Sequence, residues 1–176
     1  MTGRAAPVVA PAVAGDSRLF RTVLGAFATG VTVVTVGGAR PHGMTANAFA
    51  SVSLDPPLVL VCIDRKAIMH EVMAAAEYFA VSVLAASQEG VARHFADDWR
   101  PQGRAQFESV DWSPGEVSGA PLIRGAAAWL ECALWRSYDG GDHTIVLGRS
   151  LAMGRRADED ALLFHGGRFR RFAEET

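Results

Sequence analysis

A chain of 176 residues, 49% hydrophobic and 20% charged, is long enough to bury the core of one domain. Its formal net charge of −2 leaves no basic footprint, which argues against nucleic acid or an anionic membrane as partner. No apolar run reaches the roughly 18 residues of a membrane-crossing helix, and Cys62 and Cys132 form no close pair, so a cytoplasmic location with two buried thiols is expected.

In chain order, residues 1–16, broken by Pro7 and Pro11, are expected to be a disordered lead-in, with one domain over residues 17–176. Asp16 or Ser17 can cap a helix through "RLFRTVLGAFA", whose Leu19, Phe20, Val23, Leu24 and Phe27 recur at helical spacing and predict a core-facing stripe. The β-branched "GVTVVTV" predicts a strand. Turn residues in "GGARPHG" then lead into "GMTANAFASVSL", so the two segments are expected to pair as a hairpin. Within the second, Thr45, Asn47, Phe49, Ser51 and Ser53 fall on one face by the period of two, and Ala46, Ala48, Ala50, Val52 and Leu54 on the other. A row of short polar side chains suits a solvated sheet face, and it equally suits the edge of a flat heterocycle. Past Asp55-Pro56-Pro57, the continuous run "LVLVCI" predicts a strand buried on both sides.

"DRKAIMHEVMAAAEY" predicts a helix from near Ala67, "FAVSVL" a strand, and Ser87 a cap for the helix "QEGVARHFADD". Prolines and glycines punctuate an irregular stretch from Pro101 to Pro121. "AAAWLECALWRSY" and "HTIVLGRSLAM" predict strands around the turn at Asp139 to Asp142, and "ALLFH" with "RFRRF" a last hairpin around Gly166-Gly167. So many short antiparallel strands predict a mainly β fold with short helices, closed into a full or partly open barrel.

The chain has no G-x-x-x-x-G-K-[ST] loop, no G-x-G-x-x-G between strand and helix, and no G-x-S-x-G elbow. His42, His70, His94, His143 and His165 are scattered without metal-ligand spacing. Three features remain. The first is the polar stripe. The second is the pair Arg65-Lys66 at a helix start, which suits a phosphate or plain solvation. The third is His143 in "GGDHTIVLG", which suits a surface residue, a local hydrogen-bond partner or a catalytic group.

From about Phe20 to Phe172 the chain resembles the flavin reductase family, split-barrel proteins that feed reduced flavin to partner monooxygenases. The resemblance is carried by "FATGVTVVTV", "GMTANAFASVSLDPPLVLVCID", "FAVSVL", "HFA", "GAPLI", "LEC", "GDHTIVLGR" and "ALLFHGGRF". It implies an antiparallel split β-barrel of Greek-key type and NADH-dependent reduction of FAD or FMN, with NADPH as the less expected donor. It places Thr45, Ala46 and Asn47 against the isoalloxazine ring and ribityl chain, with Ser51, Val52 and Ser53 continuing that surface. It sets Cys62, Ile63 and Asp64 at the end of the next strand, and Arg65, Lys66 and Ala67 near the flavin phosphate. Ala67 stands where the family often carries a small hydroxyl, so backbone and charge would carry that contact. The resemblance further implies that Phe95 closes over the flavin and that His143 contacts the nicotinamide nucleotide. It implies a homodimer, in which Trp129, Trp135 and Phe49 would pack at the interface or, the reading preferred on the sequence, in the core. A pyridoxine-phosphate oxidase lacks support, because basic substrate residues are missing; a flavin-storage module without turnover is the non-enzymatic alternative.

Overall fold

A computed structural model describes residues 16–173; the lead-in expected over residues 1–16 lies almost wholly outside them. Helix α1 (Ser17–Leu24) begins as its cap predicts, with the Leu19 amide donating to Asp16 Oδ1 at 2.9 Å. Strands β1 (Thr29–Gly30), β2 (Thr32–Val36), β3 (His42–Ala46), β4 (Phe49–Leu54) and β5 (Pro57–Asp64) follow. Next come α2 (Ile68–Ala74), β6 (Tyr78–Val83), α3 (Glu89–Ala96) and a 3-10 turn over Gly103–Phe107. The chain finishes with β7 (Trp112–Pro114), β8 (Pro121–Ile123), β9 (Ala128–Gly140), β10 (His143–Arg155), β11 (Leu163–His165) and β12 (Arg168–Arg170).

Seven strands form one antiparallel sheet in the order β3-β2-β6-β9-β10-β5-β4. β3 and β4 are consecutive in the chain yet lie at opposite ends of that order. The two residues between them therefore carry the chain from one edge to the other, and the Cys62 amide donates to the Ala48 carbonyl at 3.0 Å, which extends the β4–β5 ladder to the bend. The sheet curls into a split barrel, which removes most of its exposed edge. This corrects the single strand expected over residues 43–54: the chain bends at Asn47-Ala48, and a register shift between Ser51 and Ser53 twists β4 further.

β2 explains the centre of the molecule. All five of its residues are buried, and its two faces serve different cores. Val34 and Val36 pack with Val61, Ile63, Met69 and Phe79 inside the barrel. Val33 joins Val31, Leu84, Phe95, Phe107 and Leu162 beneath α3. Buried Thr32 and Thr35 donate their hydroxyls to the carbonyls of Ala46 and Pro121, each at 2.7 Å, so neither is orphaned. Burying a phenylalanine such as Phe79, Phe95 or Phe107 contributes about 1.5–3 kcal/mol each.

Four other expectations change. β5 is not buried on both sides: Val59, Val61 and Ile63 face the core, while Leu58, Leu60 and Cys62 alternate onto a half-open face. The residue before α3 is Gln88, which makes no side-chain cap to the helix; its Oε1 accepts from the Ala85 amide instead, and Ser87 is not the cap. The α1 stripe is not core-facing, since the helix buries no residue and Phe20, Val23, Leu24 and Phe27 are all more than half exposed. Trp135 is exposed beside the Arg149 guanidinium, Trp129 is half-buried, and Phe49 packs against the barrel core.

Candidate functional site

Two cavities meet the β3–β4 bend. The first, about 530 Å³, lies between β3, the start of α2 and the segment after α3. Thr45, Asp64, Lys66 and Ala67 line it together with His42 and Arg100. The second, about 690 Å³, lies between the β4–β5 surface and α1, lined by Asn47, Phe49, Ala50, Cys62, Leu24 and Phe27. Thr45 and Asn47 are two residues apart, so the bend sets one cavity on each side of it. Each volume falls in the ordinary range for a small-molecule site.

The first cavity has a stiff polar wall. Gly43 donates its amide to Gln106 Oε1 at 2.9 Å, and the Gln106 amide donates to the Pro41 carbonyl at 3.0 Å. Arg100 donates to the Gly43 carbonyl at 2.5 Å and to the Asp97 carbonyl at 2.6 Å, with its guanidinium 3.3 Å from His42 Nε2. Burial, then the Arg100 charge, lowers the His42 pKa from 6.5 to about 4, so this imidazole is neutral at pH 7. The Thr45 hydroxyl donates to the Ala92 carbonyl at 2.7 Å, which leaves its oxygen able to accept.

Arg65 and Lys66, expected side by side at a phosphate, diverge. Lys66 lines the first cavity, and its amide donates to Asp64 Oδ1 at 2.8 Å. Arg65 turns to the β9–β10 end, 3.2 Å from Asp139 and with Nε 3.4 Å from the His143 carbonyl. His143 pairs with Asp64 in the β10–β5 register, so it sits one strand away from a cavity residue. Its Nδ1 lies 2.7 Å from Asp142 Oδ1, which fixes the ring, and the residue lines neither cavity. That contact with His143 holds the Asp142 carboxyl below its usual range.

Of the other expected residues, Cys62 faces the second cavity, its thiol pKa raised by burial. Ile63 is wholly buried in the core and Ala46 nearly so, which limits both to backbone contacts. Ser51, Val52 and Ser53 run along the edge strand beyond Ala50, outside the lining of either cavity. Phe95 is fully buried and forms a wall of the first cavity; it is not a lid. His42, Arg100 and α1 were missed by sequence reasoning. The spacing of the α1 stripe predicts a core face and gives no sign of a cavity, and Arg100 stands in a punctuated stretch with no periodicity to mark it.

An antiparallel barrel with a partly polar cavity on each side of the β3–β4 bend is a split-barrel architecture. The chain belongs to the flavin reductase like domain family, whose model matches residues 24–173. It is 56% identical over 174 residues to an NADH-dependent FAD reductase of Streptomyces globisporus, covering 97% of this chain and 96% of that protein. An FMN reductase (NADH) of Agrobacterium fabrum is 45% identical, with 91% and 88% covered. The solved Streptomyces globisporus C-1027 NADH:FAD oxidoreductase, in complex with NAD and FAD fragments, superposes with a TM-score of 0.87 at 56% identity, over 94% of this chain and 99% of that one. The flavin reductase component of a bacterial two-component tryptophan halogenase gives the same TM-score at 54% identity, with 91% and 100% covered.

Proposed function

We propose that the protein is an NADH-dependent flavin reductase that reduces FAD or FMN and supplies the reduced flavin to a partner monooxygenase. The two-part cleft at the barrel seam is the observation that carries the reading. An apolar slot with one amide at its rim suits a flat ring system, and the adjoining cavity with Lys66 and Arg100 suits the phosphate end. When both substrates are bound, hydride passes from the nicotinamide to the flavin, and this chemistry belongs to them.

The chain's own residues hold the reactants. Asn47 and the backbone around Ala46 would meet the polar edge of the ring, while Phe49, Ala50 and Cys62 form the slot floor. Thr45 and Ala67 would flank the chain leading to the phosphate, and Lys66 would neutralise it. His143, its ring fixed by Asp142, would position the nicotinamide nucleotide; no acid or base is needed for direct hydride transfer. Such positioning can supply about 7–11 kcal/mol of barrier reduction. The reading includes a homodimer, a cytoplasmic location and a cleft open enough for flavin to come and go as a substrate.

The test is a steady-state assay crossing FAD and FMN with NADH and NADPH. Catalytic loss of NADH absorbance with free flavin is expected; tight flavin binding without turnover would replace the reading with a storage role. His143→Ala should raise the KM for NADH several-fold and leave the flavin Kd near the parent value. An unchanged NADH KM and kcat would remove His143 from the site.

A further inference from the structure

His94 and Gln106 line neither cavity, yet both are bonded into the strand that lines the first. Gly43 and Thr45 stand two residues apart on β3, the end strand of the seven, where they pair with Thr35 and Val33 of β2. The Gly43 amide donates to Gln106 Oε1 at 2.9 Å. The Gln106 carbonyl accepts from His94 Nε2 at 2.7 Å, since a carbonyl has no proton to give. His94 lies on α3 two residues from Ala92, whose carbonyl accepts the Thr45 hydroxyl at 2.7 Å. These links close a circuit from β3 through the 3-10 turn and α3 back to β3. Gly43 lets the elements meet, because a Cβ there would stand 2.6 Å from the Phe95 ring.

We infer that His94 and Gln106 are positioning residues, which hold β3 on the side that β2 leaves open and so fix Thr45 for the ligand. The inference rests on the flavin reading above, which sets Thr45 beside the chain that leads to the phosphate. An end strand has a ladder on one side only, and β3 stops one residue past Thr45, at the bend. The ladder to β2 sets its register; the circuit supplies its second side. Gln106 is wholly buried, and its side-chain amide also donates to the Pro41 and Gly103 carbonyls at 3.0 and 2.9 Å. A methionine would fill the same volume with no buried amide to satisfy, so what the glutamine adds is direction. The half-buried His94 carries that direction on to α3.

The test uses the full chain with His94→Leu, His94→Gln and Gln106→Met, the histidine variants keeping the buried glutamine in place. Without ligand, the amides of β3 should exchange with deuterium about tenfold faster in His94→Leu, those of β9 and β10 should keep the parent rate, and His94→Gln, which retains a donor, should stay near the parent. Flavin Kd, read by fluorescence, should rise about fivefold in His94→Leu and return in His94→Gln. Gln106→Met should loosen β3 in the same way, and adding His94→Leu to it should cost little more, because the two links lie in one circuit. The inference is overturned if exchange rises throughout the sheet, if β3 loosens while flavin Kd stays at the parent value, if neither changes, or if the two variants multiply as independent sites. A parent protein that binds no flavin would sink the flavin reading instead, and the exchange of β3 would still report whether the circuit holds the strand.

Discussion

The two cavities lie on either side of the Asn47-Ala48 bend but are finished to different degrees. The one beside α3 is walled by groups that the chain itself buries and bonds: His42, Arg100 and Gln106 interlock with the backbone of β3, and Phe95 closes the back. The one beside α1 has a sheet for a floor but a helix with no buried residue for a roof. One end of the cleft is preformed within a single chain, while the other presents apolar surface that something else must cover. A ligand that must leave again is well served by this arrangement, because the rigid end fixes its direction and the open end sets its rate of escape.

The largest contrast should come from filling each wall. A Cβ at Gly43 would stand 2.6 Å from the Phe95 ring and 3.3 Å from Phe107, both buried. Gly43→Leu should therefore destabilise the chain by about 3 kcal/mol, the upper end for overpacking. Ala50→Leu, on the exposed edge strand, should cost less than about 0.5 kcal/mol. Urea unfolding of the two variants measures both, and equal losses would show that the walls do not differ.

Acid should find the same difference. An unfolded histidine takes up its proton near pH 6.5, whereas folded His42 resists until about pH 4. The unfolded state binds more protons across that window, so stability falls as pH drops from 6.5 to 4 and loses nothing further from this group below it. That interval corresponds to about 3–4 kcal/mol. His42→Gln should remove that part of the slope, read as the difference between parent and variant unfolding free energies at several pH values; parallel curves would mean His42 is not the linked group.

Ligand affinity sharpens the contrast at smaller cost. Lys66→Gln should raise the Kd for FMN and FAD about fivefold and leave riboflavin alone, since only the phosphate end is touched. Asn47→Leu should weaken all three about threefold, because the ring is common to them. Riboflavin titration separates the two assignments: a lysine variant that weakens riboflavin, or an asparagine variant that spares it, would reverse them.

How much of this the sequence disclosed depends on whether burial is local. The β2–β3 and β9–β10 hairpins and the β11–β12 turn were legible, because alternation and turn residues set pairing between neighbours in the chain. The break at Asn47-Ala48 was not, since it exists only because β3 pairs with β2 and β4 with β5, at opposite ends of the sheet order. The row of Thr45, Asn47 and Ser51 was real as a pattern, but the bend divides it: Thr45 faces one cavity, Asn47 the other, and Ser51 neither. Arg100 carried no signal, because its partners are carbonyls 3 and 57 residues away.

The smallest expected effect on the folded chain is at α1, and it is the most telling about the unfinished cavity. Phe20 and Val23 are 64% and 62% exposed and line neither cavity, so Phe20→Ser with Val23→Ser should change the stability of an isolated chain by less than about 0.5 kcal/mol. A helix whose apolar side stays in water gains nothing from that side, and contiguous surface of this kind marks an association face. If a second copy covers it, the pair of serines should shift the protein from dimer toward monomer in light scattering at micromolar concentration, with weaker flavin binding because Leu24 and Phe27 lose their support. A chain that stays dimeric, or one that loses several kcal/mol of stability as a monomer, would mean that α1 is roofed by its own fold and that the two cavities are alike after all.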